Sequence, residues 1–138
     1  MKTIWIGLAI LAAGLCGWSA GARETAKADR FFELRTYTPS PGKMDALLAR
    51  FRDHTLKLFE KHGMTNIGYW ITEGAEGEKK LAYLLAFPSK DARNASFKAF
   101  GADPDWQKVY ADSQKDGIKL ASKVESVFLT PADFSAIK

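Results

Sequence analysis

Two histidines, His54 and His62, are the side chains whose ordinary titration lies nearest neutral pH, so they are the first candidates for moving a proton. His54 falls near the boundary between the apolar and polar faces of a helix. It reads first as a partly exposed surface histidine and second as a proton-transfer group. His62 stands just ahead of Gly63 and reads as a cation at a helix end. Arg93 lies near a helix start, where the macrodipole disfavours a cation, and so asks for a specific partner. A carboxylate in a structural salt bridge is the first reading, a dimer contact or a bound anion the second. His54 and Arg93 are the candidates for catalysis, and neither has a companion nucleophile or base.

The aromatic residues offer a different chemistry. Tyr37, Tyr69, Trp70 and Tyr83 are spread over three strands, and Trp106 opens a short helix behind Asp103-Pro104. Phenol-bearing walls suit a flat or apolar small molecule, and the same composition suits the core of a dimer interface. Glu73, Glu76 and Glu78 share one polar turn, a placement that does not oppose two acids across a substrate. The chain holds no GxSxG, P-loop, HExxH or GxGxxG pattern. No metal site and no cofactor are expected from these residues.

The segment ahead of these groups reads as an address. Met1-Lys2 precedes an almost wholly apolar run from Ile4 to Leu15. That run is short for a bilayer span, which takes ~20 residues, and suits the hydrophobic region of a signal peptide. Ala20-Gly21-Ala22 supplies a small-x-small cleavage site, with Ala26-Lys27-Ala28 behind it. Residues 1–22 are therefore read as a signal peptide and 23–30 as a flexible tether, and the expected location is periplasmic or extracellular. A lipid anchor on Cys16 is disfavoured because Leu15 stands where a small residue is wanted. Contact with membrane is expected only if the leader is retained. Cleavage removes Lys2 and no acid, taking the net charge from +4 down by one to +3. With cations and anions interspersed, this is an ordinary solvated surface, and no nucleic-acid partner is expected. The single cysteine excludes an intramolecular disulfide and a CxxC site.

What remains must position the candidate residues. Phe31 to Tyr37 alternates as a strand, with Phe32, Leu34 and Thr36 on its apolar face and Phe31, Glu33, Arg35 and Tyr37 on the other. Ser40-Pro41 is read as a helix start. From Lys43 the apolar residues Met44, Leu47, Leu48, Phe51, Thr55 and Leu58 follow a helical period, with Arg50, Asp53, Lys57 and Lys61 mostly opposite, and Gly63 closes the helix. Asn66 to Thr72 and Lys80 to Phe87 are two strands around a glycine-containing turn. The second is apolar enough to be buried on both faces. Ser89 caps a helix with Ala92, Ala95, Ser96, Ala99 and Phe100 on its apolar side, Asp103-Pro104 breaks it, and Val124 to Leu129 is the last strand.

This order, βαββαβ, predicts an α+β fold of the ferredoxin-like class: a four-stranded antiparallel sheet with helices on one face. Tyr69, Ile71, Tyr83 and Leu85 are assigned to the outer face, where they need a second cover. A homodimer packing two sheets face to face supplies one.

Three segments resemble the NIPSNAP family. They are Glu33-Leu34-Arg35-Thr36-Tyr37 with Pro41-Gly42-Lys43, then Gly68-Tyr69-Trp70, then Leu84 to Arg93 followed by Asp103-Pro104-Asp105-Trp106. The resemblance spans roughly residues 31–130, leaving 131–138 as a tail, and implies the dimeric α+β-barrel version of the fold. Phe87 departs from it, because a tyrosine is expected there. Some members of the wider barrel superfamily use a histidine on haem iron, which makes haem the alternative cofactor and His54 its axial ligand. The function implied is a non-catalytic dimeric module that binds a small apolar ligand or a protein. The alternative is a monooxygenase-like enzyme acting on a small apolar or aromatic substrate, with or without haem.

Overall fold

The computed structural model describes residues 30–138, so the leader, the Cys16 site and most of the tether lie outside the described residues. Strand β1 (Phe31–Pro39) leads into a helical run made of α1 (Met44–Arg50), a π turn (Phe51–Thr55) and α2 (Leu56–Lys61). Strands β2 (Thr65–Glu73) and β3 (Lys79–Phe87) follow, then α3 (Lys90–Ala102), α4 (Pro104–Asp112) and β4 (Ala121–Leu129). All pairings are antiparallel and the sheet order is β2-β3-β1-β4, the ferredoxin-like arrangement. No helix among the described residues is long and apolar enough to cross a membrane.

The helices cover the sheet face that carries Phe31, Tyr37, Tyr69, Leu81, Tyr83, Leu85 and Phe87, and these pack with Leu47, Phe51, Leu58, Phe59 and Phe100. Tyr69, Tyr83 and Leu85 are therefore core residues and not outer-face ones. Ile71 follows them by alternation on the same side, exposed at the sheet's end. The physical reason is volume: Tyr83 alone meets the rings of Phe51, Phe59, Tyr37 and Tyr69, a burial that a bare sheet face cannot give. The outer face keeps Phe32, Leu34, Trp70, Ala82, Leu84, Ala86, Val127 and Leu129 by the same alternation. On the outer side of β3 the small Ala82 and Ala86 are buried between their neighbours while Leu84 is half-buried, so the strand is apolar on both faces as its composition leads one to expect.

The starts and ends of the helices explain the remaining differences. Ser40 does not cap α1: its Oγ donates to the Lys119 carbonyl (2.5 Å), and Gly42, at φ +72°, turns the chain before the helix begins. Gly63 ends α2 in the left-handed conformation, at φ +76°. Ser89 Oγ accepts from Ala92 N–H (3.1 Å) as the cap of α3. The buried side of α3 is set by the rings of Phe97 and Phe100, while Ala95 and Ala99 face solvent. In the π turn the Leu56 N–H reaches the Phe51 carbonyl, and the Thr55 hydroxyl donates to the Arg50 carbonyl (3.2 Å). The tail after β4 returns to the outer face. Pro131, Ala132 and Ile137 line an apolar groove of about 400 Å³ with Phe32, Leu84 and Leu129, and Arg30 Nε donates to the Lys138 carbonyl (2.6 Å).

Candidate functional site

Strand β1 lies second from one edge of the sheet, so its helix-facing side chains are flanked on both sides. Glu33 and Arg35 sit between Leu85 and Tyr83 of β3 and Phe128 and Ser126 of β4. The Glu33 carboxylate is fully buried and accepts from Arg93 through Nε (2.7 Å) and Nη2 (2.8 Å), from Arg35 Nη1 (2.7 Å) and from the Ser126 hydroxyl. Burial alone would raise its pKa, but the hydrogen bonds from Arg93, Ser126 and Arg35 outweigh that and hold it below the ordinary carboxylate value. Arg35 also donates to Tyr83 Oη (3.0 Å), and both guanidinium groups lie over the ring of Phe97. Arg93 thus has the carboxylate its position called for, sixty residues away in the chain.

A third arginine faces the other end of the same helix-covered space. Arg50, placed by sequence on the polar side of its helix, is buried at 6% exposure. It lies between the rings of Trp106 (5.4 Å) and Tyr110 (5.5 Å), and its Nη1 donates to Ser113 Oγ (3.2 Å). Beside it is a cleft of about 200 Å³ between β1, α4 and the start of β4, walled by Tyr37, Trp106, Tyr110, Leu120 and Val124. Burial pushes the Arg50 guanidinium below its ordinary pKa, although arginine at any such value stays charged at neutral pH.

The structure separates the residues that sequence grouped together. Tyr37 and Trp106 do share the cleft, Tyr37 also receiving a hydrogen bond from Arg35 Nη2 (3.4 Å). Tyr69 and Tyr83 stack on each other (5.2 Å, 16°) within the core, and burial raises both phenols. Trp70 turns to the opposite face, folded over Gly68, where an added Cβ would stand 2.5 Å from its ring. His62 Nε2 lies 2.6 Å from Asp103, the buried cap of α4, which Lys61 also approaches (2.8 Å). Hydrogen bonds from Lys61 and His62 hold Asp103 well below the usual carboxylate range.

His54 is exposed and shares an open groove between α1 and α4 with Asp53, Asp105, Lys108 and Asp112, and Arg50 borders this groove as well as the cleft. A groove edged by three carboxylates does not fit the flat apolar macrocycle of haem. Among the described residues no group of three His, Cys, Asp or Glu side chains stands at metal-binding spacing. Arg50 and Tyr110 escaped the sequence reading. The one available signal was that Arg50 lies three residues after Leu47 and directly before Phe51, at the edge of the apolar stripe.

The sheet order, the one-sided helices and the cleft between them define a ferredoxin-like α+β domain. The chain belongs to the NIPSNAP family, whose model matches residues 32–136. A NIPSNAP family protein of unknown function from Agrobacterium tumefaciens is 25% identical, with 80% of this chain and 95% of that one aligned at a TM-score of 0.68. An uncharacterized NIPSNAP domain protein from Burkholderia xenovorans is 26% identical over 76% of this chain and 97% of that one, at a TM-score of 0.64. A monooxygenase from Streptomyces coelicolor in complex with nanaomycin D shares the fold at 16% identity, over 80% of this chain and 94% of that one, with a TM-score of 0.51. None of the curated proteins matches this sequence. Phe87, where the resemblance calls for tyrosine, is buried and packs near Phe97 (6.1 Å).

Proposed function

We propose that this chain is an exported, homodimeric NIPSNAP domain that binds a small, flat or apolar molecule in the cleft beside Tyr37, Trp106 and Tyr110. The observation that carries the binding reading is the state of the buried acids. Glu33 is shared by Arg93 and Arg35, and Asp103 by Lys61 and His62. Neither is free to act as a base over the cleft, whereas three aromatic rings stand ready to hold a ligand.

Self-association rests on the outer face of the sheet. Trp70 (52% exposed) and Val127 (54%) lie at its two edges, and Phe134 (89%) projects from the tail beside the apolar groove. A second copy applied to this face covers that row, and the two sheets then enclose one another in a barrel. Export rests on the leader at residues 1–22. Sedimentation velocity is expected to give a dimer, and Val127→Glu a folded monomer. A chain that is monomeric at all concentrations overturns the dimer.

The second reading, a monooxygenase, is favoured by the fold shared with the Streptomyces coelicolor enzyme and by the aromatic cleft. Sustained dioxygen consumption with a hydroquinone substrate would establish it and overturn the non-catalytic reading. No consumption above the free reaction supports binding alone.

A further inference from the structure

Among the described residues, one buried side-chain polar atom has no hydrogen-bond partner: Nε of Arg50. The half-buried Arg93 and Arg35, by contrast, both reach a carboxylate, that of Glu33. Arg50 has only the Ser113 hydroxyl, with no Asp or Glu of the described residues at ion-pair distance. The rings of Trp106 and Tyr110 flank the guanidinium and offset part of its desolvation. They supply neither an acceptor for Nε nor a counter-charge. A buried, uncompensated cation is costly, and its fork matches a carboxylate in two parallel hydrogen bonds.

The cleft supplies the rest. Its polar lining is Arg50, Lys119, Gln114 and the phenols of Tyr37 and Tyr110: two cations and no acid. Its remaining lining is apolar or aromatic, namely Trp106, Leu120, Ala121 and Val124. The cationic fork beside aromatic and aliphatic walls suits a planar anion carried on a ring, whose carboxylate matches the fork and whose ring matches the walls.

We propose that this cleft binds a small aromatic carboxylate, its anion paired with Arg50 and its ring set among Tyr37, Trp106 and Tyr110. The proposal rests on the small-molecule-binding reading above and narrows it to a ligand class.

Benzoate and its uncharged analogue benzamide separate the two claims. Each is titrated into the 15N-labelled full chain, following the Trp106 indole and Arg50 Nε–H resonances. Benzoate is expected to move both resonances to saturation, with benzamide weaker by about tenfold or more, the value of one charge-assisted contact. Arg50→Met is expected to weaken benzoate by about the same factor while raising Tm, because it removes a buried charge that has no partner. Arg50→Lys keeps the charge without the fork and is expected to fall between. A lowered Tm in Arg50→Met overturns the unpaired-cation argument. Equal binding of benzoate and benzamide, unchanged in Arg50→Lys and Arg50→Met, overturns the anion site and leaves small-molecule binding standing. No response to either compound overturns both.

Discussion

Replacing Glu33 with glutamine keeps the size of the side chain and removes its charge, leaving Arg93 and Arg35 to face each other without a counter-ion. In the wild-type chain the carboxylate takes three guanidinium hydrogen bonds of 2.7, 2.8 and 2.7 Å. Removing one partner of a buried ion pair costs ~3–5 kcal/mol. Here the lower end applies, because the arginines retain 19% and 15% side-chain exposure and the glutamine still offers one acceptor. A loss of about 3 kcal/mol lowers Tm by roughly 10 °C in a domain of this size. The assay is urea unfolding at pH 7 followed by far-UV circular dichroism on wild type, Glu33→Gln, Arg93→Met and the double variant. The double-mutant cycle should return a coupling of about 1–3 kcal/mol. The pH dependence adds a second test. Glu33 is held below its ordinary value of 4.5, so its contribution is complete above that pH and is lost as the pH falls through the folded-state value. The gap between wild type and Glu33→Gln should therefore close in acid. A loss under ~1 kcal/mol at pH 7 with no coupling would refute the view that Glu33 joins β1, α3 and β4.

Two further outcomes follow from the helix starts. Ser89→Ala removes the acceptor for the Ala92 N–H and should cost about 1 kcal/mol in the same urea titration, with no change in slope. Asp103→Asn preserves a capping oxygen and removes the charge that Lys61 and His62 share, so it should lower Tm at pH 7. That deficit should shrink as the pH drops below 3.8, and a deficit that grew in acid would contradict the assignment.

The elements were legible because their signals are local. Alternation marks β1, a helical period marks the run from Met44, and Gly63 and Ser89 announce an end and a start within one turn. Which sheet face the helices take was not legible. Glu33 and Arg35 put their side of β1 opposite the apolar face in the sequence, since the partners that let them be buried arrive from Arg93 and Ser126, sixty and ninety-three residues further along. Phe32, Leu34 and Thr36 look like the core side for the same reason, yet they lie on the outer face. Arg50 was missed by the opposite mechanism: a cation on a helix is normally solvated, and nothing in its neighbourhood of sequence shows that no acid reaches it. The outer-face surplus of apolar area did survive the exchange of residues, because both faces of the sheet are greasy whichever is covered.

The π turn between Arg50 and Thr55 makes the first helical segment act like a spliced shaft. One surplus residue per turn offsets the phase of everything after it by about 100°. Upstream, the register puts Leu47 in the aromatic interior and Arg50 at the cleft; downstream, it returns Leu58 and Phe59 to that same interior. Deleting a single residue there would restore ordinary winding and bring only one of those two halves into alignment. Relatives that lack the surplus residue would have to rebuild either the arginine position or the hydrophobic stripe, so the length of this segment is a marker for tracing which of them place an arginine at the same point.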